Sequence, residues 1–247
     1  MPKPKKKSEF YEIEGRQMVS VTTALKIIET GIGDWKSRVG ASEAARVSKV
    51  ESGYGTKVHA LIEADIKGTV AKMPKIVPVS VTNAFSAYQQ WRLECMPTII
   101  ESEKLVYSTL HGYAGTCDAI GQTAVYDFKT SKKIHPIYWL QLAAYAGAIM
   151  EMEPGRHITR LVVVRLDKDL SIYSVEEREY SSDLLLSFLS CLRMWRFFNI
   201  TEKEDDNDER TRASLDIEPN RLRNEEERAD EEVDRPEVPH VRSGEVW

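Results

Sequence analysis

The sequence predicts an α/β fold in which a mixed β-sheet is flanked by helices and preceded by an N-terminal helical layer. Three observations predict it. Helix-period segments dominate residues 18–96, β-branched and aromatic segments separated by turns follow Pro97, and a long Ala-rich apolar segment interrupts those strands. The resulting order, helices followed by β-β-β-α-β-β-α, is typical of an α/β core.

Residues 10–17 are expected to form a short strand and turn, and four helices are expected to follow. Candidate N-caps before the apolar patterns and glycines after them set the helix ends. The first helix begins at Ser20 or Thr22 and ends at Gly31 or Gly33, and the others cover 34–50, 55–67 and 79–95. The last of these places three aromatic residues on one side: Phe85, Tyr88 and Trp91.

The second half of the chain contains the predicted sheet. Segments 98–108, 112–121 and 124–131 are separated by glycine-containing turns, which favours three consecutive antiparallel strands. Pro136 then opens a buried helix over 135–153, because proline suits the first turn of a helix. Two further strands, at 158–167 and 171–181, and a final helix at 181–198 complete the order.

The charges divide the chain into three parts. Residues 1–9 form a basic flexible arm, 10–200 a single domain with a helical part (18–96) and an α/β core (97–200), and 201–247 an acidic tail. The tail carries 17 acidic and 8 basic residues, so the rest has a net charge of +4 although the whole chain has −5. Its sparse, aperiodic apolar residues predict disorder, and it is a candidate surface for a protein partner.

Composition excludes several classes of protein. The three cysteines form no CxxC pair, which argues against a zinc ribbon, and they are too few for a four-thiolate iron–sulfur cluster. No GxxxxGK[ST] motif occurs, so no ATP is expected. The sequence lacks both an apolar span of membrane length and a secretory signal, so we expect no membrane partner and a reducing, cytoplasm-like compartment.

The strongest chemical signal lies in the segments GYAGTCDAIG and AVYDFKTS. Asp118 and Asp127 fall on neighbouring strands, and Lys129 shares a strand face with Asp127 because side chains alternate with period two. Two converging carboxylates suit a hard divalent cation, which polarises a phosphoryl oxygen and activates water. Charges on so apolar a strand are costly unless they serve a metal or a partner, which favours function over a surface ion pair.

The ordered series VSVTTALK, GTKVHALIE, ESEKLVYS, GYAGTCDAI, YDFKTSK and QLAAYAGAI resembles the RecB-type branch of the PD-(D/E)xK nuclease superfamily, which includes phage exonucleases and the mitochondrial genome maintenance exonuclease. The resemblance covers roughly residues 11–166. It implies a restriction-endonuclease-like core, Mg²⁺ or Mn²⁺ as cofactor, and DNA as substrate. It further implies an exonuclease of DNA ends with a single-strand preference, from the cytoplasm of a bacterial or phage-infected cell, with an association with DNA recombination and repair.

The resemblance also assigns roles to acidic residues and a histidine. His59 matches the helical histidine that joins metal binding, and Glu63, one turn later, either supports its imidazole or is solvated. Glu103 matches the acidic residue of the first core strand and serves the metal directly or through a water. Glu101, two residues earlier, is the alternative, but the interval from Glu103 to Asp118 fits the pattern better.

The remaining catalytic and metal-binding positions follow the same motif. Asp118 and Asp127 match the two metal carboxylates, the backbone carbonyl of Phe128 is a further ligand, and Lys129 matches the catalytic lysine. Gln141 matches the glutamine of the following helix, where it would position the lysine, the water or a phosphate.

Five positions are predicted to contact DNA. Tyr145 lies four residues after Gln141, hence on the same helix face. The other four are two hydroxyl residues and two lysines: Thr130, Ser131, Lys132 and Lys57. Three alternatives stay open: an endonuclease, a catalytically inactive DNA-binding protein on this fold, and an ordinary α/β interaction module whose acidic residues are scattered.

Overall fold

The computed structural model describes residues 6–7, 9–28 and 40–200. Most of the predicted basic arm, the end of the first predicted helix, the start of the second and the whole acidic tail lie outside the described residues. Within them, the segment after Ser20 is helical as predicted: α1 spans Val21–Ala24 and continues as a 3-10 turn over Leu25–Ile28. Residues 18–20, which we assigned to the helical part, belong instead to a strand.

The described residues form one mixed sheet of eight strands. Along the chain these are β1 Lys6–Lys7, β2 Phe10–Ile13, β3 Arg16–Ser20, β4 Ile99–Ser108, β5 Tyr113–Gly121, β6 Ala124–Lys129, β7 Arg160–Leu166 and β8 Tyr173–Glu179. The three consecutive antiparallel strands are confirmed as β4, β5 and β6. Strand β7 pairs parallel to β6 and antiparallel to β8, so the sheet is mixed as expected.

Within the described part of the chain, four longer helices flank the sheet: α2 Ala41–Lys67, α3 Val79–Cys95, α4 Ile137–Met152 and α5 Ser182–Ile200. The bounds of α3 and the start of α4 after Pro136 agree with the sequence patterns. The separation of helices at 34–50 and 55–67 was wrong, since α2 runs unbroken through Gly53 and Gly55. An interior glycine weakens a helix by roughly 1 kcal/mol without ending it, and Val58 and Ile62 bury the helix against the core.

Each face of the sheet has its own core. Helices α4 and α5 cover one face through buried residues such as Leu142, Ile149 and Phe188. Helices α2 and α3 cover the other, where Trp91 packs edge-on against Tyr126 and Phe128 of β6. Among the described helices, none has the length and apolar character needed to cross a membrane.

The edges of β5 decide where the site forms. Strand β4 pairs with β5 over nearly its whole length and so occupies one edge. The other edge is shared, because β3 pairs parallel at Tyr113 and Ala114 whereas β6 pairs at Ala119 and Ile120. Between these pairings, residues 115–118 have no partner strand on that edge within the described chain. The sheet therefore opens at this point.

Candidate active site

His59 reaches the opening from α2, where its neighbours Val58 and Ile62 anchor the helix on the sheet. Its Nε2 lies 2.9 Å from the backbone oxygen of Phe128, a carbonyl that accepts the hydrogen bond. When the ring is neutral, Nε2 therefore carries the proton and Nδ1 keeps its lone pair. Nδ1 lies 3.4 Å from Asp118 Oδ1 and 3.6 Å from Glu103 Oε1. The nitrogen whose lone pair could bind a metal therefore faces two carboxylates.

Asp118 contributes a buried carboxylate from the open stretch of β5. Its Oδ2 accepts the backbone N–H of Phe128 at 2.8 Å, which ties the side chain to β6 and leaves Oδ1 toward His59. Burial raises the pKa of Asp118, but the positive charge of His59, the hydrogen bond to it and the charge of Lys129 together outweigh burial, and the pKa lies below its ordinary value. Burial lowers the pKa of His59, but the negative charge of Asp118 and the hydrogen bonds to Asp118 and Glu103 together outweigh burial, and this pKa is raised well above its usual range. The field at this point favours positive charge.

Glu103 completes the group from β4 with an unusual backbone. Its φ is +49°, in the left-handed region that a residue other than glycine rarely adopts. The pairs Ser102–Ala119 and Lys104–Cys117 on either side place Glu103 opposite Asp118. A residue held in this region costs of order 1 kcal/mol and persists only where its surroundings enforce it. The strain accompanies a carboxylate directed toward His59 and Asp118.

These three residues form a set of metal-ligand type. One ligand atom from each of His59, Glu103 and Asp118 can be chosen so that all lie within 4.8 Å of one another. One imidazole nitrogen and two carboxylate oxygens suit Mg²⁺ or Mn²⁺ better than a soft, thiolate-preferring ion. The residues present therefore fit the expected divalent cation.

Asp127 and Lys129 form a second group beside the first. The Lys129 ammonium lies 2.9 Å from Oδ1 and 2.8 Å from Oδ2 of the buried Asp127 carboxylate. Oδ2 nevertheless accepts no hydrogen bond of good geometry from the described residues. Burial raises the pKa of Asp127 to about 6. Burial lowers the pKa of Lys129, but the negative charges of Asp127 and Asp118 and the hydrogen bond to Asp127 together outweigh burial and raise this pKa. In this structure Asp127 is therefore directed to the lysine and lies outside the three-residue group.

Helix α4 supports this second group. Gln141 donates through Nε2 to Asp127 Oδ1 and to the Tyr145 hydroxyl, both at 3.1 Å, and its Oε1 lies 3.4 Å from the Lys129 ammonium. Gly115 makes room for the Tyr145 ring, since a Cβ there would lie 2.4 Å from Cε1. The buried Tyr145 thus braces Gln141 across the open edge of β5.

The predicted DNA-contacting residues are not placed alike. Thr130 and Ser131 line the cleft that contains His59 and Lys129, as does the buried Tyr145. Lys132 is exposed on the loop that follows. Lys57 is not among the residues that line the cleft, and its ammonium donates to the backbone oxygen of Gly53 at 3.3 Å.

The two alternative acidic residues are engaged elsewhere. Glu101 forms ion pairs with Arg156 at 2.8 Å and Lys104 at 2.7 Å, away from His59. Glu63 pairs with Lys67 one turn along α2 and does not hold the His59 imidazole, whose Nε2 is bonded to Phe128. The geometry thus groups Glu103, and not Glu101, with His59 and Asp118.

The cleft has a volume of about 740 Å³ and an acidic lining. Among the described residues that line the cleft, Lys129 is the single lysine or arginine. Four lining residues are acidic: Glu51, Glu63, Glu103 and Asp118. Sequence analysis missed Tyr138, whose ring centroid lies 4.7 Å from the Lys129 ammonium. Its spacing of three and seven residues from Gln141 and Tyr145 is the signal that places it on the same helix face.

No family model and no curated protein matches the sequence. Solved structures similar to this chain include the alkaline exonuclease LHK-Exo from Laribacter hongkongensis, 14% identical with a TM-score of 0.44 over 76% of this chain and 90% of that one. LHK-Exo in complex with dAMP is 16% identical with a TM-score of 0.43 over the same shares. A phage-related exonuclease from Haemophilus somnus 129PT is 11% identical, with a TM-score of 0.32 over 60% of this chain and 82% of that one. Similarity this low leaves the chemistry of this chain to its own residues.

Proposed function

We propose that this protein is a divalent-metal-dependent deoxyribonuclease of the PD-(D/E)xK type, an exonuclease that hydrolyses phosphodiester bonds from DNA ends with a preference for single strands. The observation that carries the proposal is the adjacency of two groups in one cleft. His59, Glu103 and Asp118 form a ligand set, and the Lys129 ammonium is held beside them by Asp127.

The acidic lining supports a metal requirement. DNA is a polyanion. Of the four acidic residues in the cleft, Glu51 and Glu63 pair with lysines, whereas Glu103 and Asp118 pair with no lysine or arginine of the described residues and repel DNA unless a bound cation neutralises them.

His59, Glu103 and Asp118 would hold the ion. Asp127 and the Phe128 carbonyl, the other two ligands expected from the sequence, contact Lys129 and the His59 Nε2–H in this structure, so each would have to leave that contact to join them. When bound, a divalent ion supplies Lewis-acid polarisation of a phosphoryl oxygen and activation of water.

The chain's own residues supply orientation and charge. The Phe128 carbonyl fixes the tautomer of His59, and the Phe128 N–H fixes the rotamer of Asp118. Lys129 presents a cation that can stabilise negative charge developing on the phosphate, and it is already oriented before substrate arrives. Gln141 contacts both Asp127 and Lys129 and so fixes their positions relative to α4.

The test is cleavage by the full-length chain of linear and circular DNA, single- and double-stranded, labelled at either end. With Mg²⁺ or Mn²⁺ we expect mononucleotides or short products from linear single strands, intact single-stranded circles, and no cleavage in chelator. Cleavage of circles would make the protein an endonuclease. Binding of DNA without cleavage under every metal condition would favour the inactive DNA-binding alternative and overturn the proposal.

A further inference from the structure

Tyr138 lies in the first turn of α4 and lines the same cleft as Lys129. Its ring centroid is 4.7 Å from the Lys129 ammonium, within the range of an attractive cation–π contact. The ring is half-buried, packed against the core on the α4 side of the sheet. The ring therefore lies against the Lys129 ammonium, and its own position is fixed by packing against the core.

The hydroxyl of Tyr138 has a separate role. It donates to Ser131 Oγ at 3.2 Å, and the Ser131 hydroxyl donates in turn to the backbone oxygen of Lys133 at 2.8 Å. This chain of hydrogen bonds connects the ring to the loop between β6 and α4. The loop and the ammonium thus contact different parts of one side chain, and substitutions can separate the two contacts.

The Lys129 ammonium has three kinds of neighbour. Asp127 lies at 2.8 Å, the Gln141 oxygen at 3.4 Å, and the Tyr138 ring closes a further side. The lysine side chain is a flexible stem of four carbons. A single ion pair at its end therefore still allows the side chain several rotamers. A ring face that attracts the charge and blocks other directions narrows this choice.

We propose that Tyr138 is a positioning residue whose ring holds the Lys129 ammonium in the orientation required for cleavage. The inference rests on the proposed nuclease function. The ring acts through the lysine and does not contact DNA, and its hydroxyl serves the loop. The aromatic ring is accordingly required for the chemical step and the hydroxyl is dispensable.

Kinetics of three variants test this assignment. Tyr138→Leu should lower kcat by about tenfold with KM within about twofold, because a small displacement of a catalytic group affects turnover more than binding. Tyr138→Phe keeps the ring and should retain kcat within about twofold. Tyr54→Leu is the matched control, since Tyr54 lies 6.0 Å from the Lys168 ammonium and does not line the cleft; it should cleave normally.

Two kinetic results would overturn the assignment. An equal loss in Tyr138→Phe and Tyr138→Leu would mean that the hydroxyl, through Ser131, is the required group. A rise in KM with unchanged kcat would mean that the ring contacts DNA. Thermal melts of each variant identify any that fails to fold, and Tyr138→Trp, which restores a ring, should then recover activity relative to Tyr138→Leu.

A measurement that needs no DNA separates this inference from the proposed function. Acylation of lysines by an N-hydroxysuccinimide ester, followed by mass spectrometry, reports how accessible each side-chain amine is to the reagent, and a ring that holds the Lys129 side chain should limit that access. Lys129 should label several-fold faster in Tyr138→Leu than in wild type or Tyr138→Phe, with Lys168 unchanged. Equal labelling of Lys129 in all three would refute the positioning role. Absence of cleavage in the wild type would refute the nuclease proposal, while the labelling rates would still show whether the ring holds the lysine.

Discussion

Two glutamates at neighbouring positions on β4, Glu101 and Glu103, belong to clusters that differ in charge balance. Glu101 belongs to a balanced network in which Lys104 and Arg156 pair with both Glu101 and Glu153. Burial raises the pKa of Glu101, but its hydrogen bonds to Lys104 and Arg156 outweigh burial and lower it. Two residues later, Glu103 faces Asp118 and His59, and no lysine or arginine of the described chain pairs with it.

The two clusters differ in whether their charges are balanced without a ligand. The Glu101 network joins β4 to the end of α4 with every charge answered by an opposite one. The Glu103 cluster collects two carboxylates around one imidazole, whose raised pKa offsets part of their negative charge, and it adds a strained backbone; a bound cation would balance the remaining charge. Two glutamates of one strand thus have different roles because of what lies opposite them.

The largest effect should come from breaking the unbalanced cluster. Asp118→Asn should lower the cleavage rate on the order of 10³-fold, because a neutral amide is a poor ligand and no longer complements His59. Asp127→Asn should lose activity to a similar extent. Glu101→Gln is the matched control and should cleave within about twofold of wild type. The measurement is the initial cleavage rate in Mg²⁺. An equal loss of rate in Glu101→Gln would show that the two clusters do not differ in function.

A smaller effect should distinguish the proposed role of Lys129 from that of His59, the proposed metal ligand. Lys129→Ala should lose on the order of 10²-fold in rate while retaining metal affinity, because its ammonium pairs with Asp127 and cannot bind a cation. His59→Ala should weaken metal affinity, so extra Mn²⁺ should restore part of its activity. Cleavage rate against metal concentration measures both. Rescue of Lys129→Ala but not His59→Ala would reverse the two roles.

DNA binding offers a third test of the acidic cleft. A non-cleavable phosphorothioate oligonucleotide should bind roughly tenfold more tightly in Ca²⁺ than in chelator, a difference of about 1.4 kcal/mol, because the cation offsets the carboxylates of Glu103 and Asp118. Fluorescence anisotropy gives the two dissociation constants. Glu103→Gln should reduce the dependence on Ca²⁺ and Glu101→Gln should not. The same dependence in both variants would place the ions elsewhere.

The smallest expected effect concerns stability. Glu103→Gly should raise the free energy of unfolding in chelator by roughly 0.5 kcal/mol, since relief of about 1–2 kcal/mol of strain at a φ of +49° exceeds the roughly 0.5–1 kcal/mol that glycine's added backbone freedom costs. Glu101→Gly should lower it by at least as much, because it removes a partner of two cations and adds backbone freedom in a strand. Urea unfolding followed by circular dichroism measures both. A loss of stability in Glu103→Gly would show that the strain is compensated locally.

Sequence reasoning predicted most elements because their patterns are local. The antiparallel order of β4, β5 and β6 followed from β-branched segments between glycine turns, and the start of α4 from Pro136. It failed at α2, where Gly53 and Gly55 suggested a break. A glycine weakens a helix locally, but burial of Val58 and Ile62 decides whether the helix continues, and burial is not local information.

For the site, the sequence alone determined that Asp127 and Lys129 share a strand face, since side chains alternate along a strand whatever the surrounding fold. The tertiary structure decided how they are grouped. It joined Glu103 to His59 and Asp118, assigned Glu101 to a network with Arg156, and brought Tyr138 over Lys129. These contacts join residues of different strands and helices, up to some 60 positions apart in the chain, and the His59 group forms where β3 and β6 divide the edge of β5. Periodicity along one strand or helix contains no information about that division.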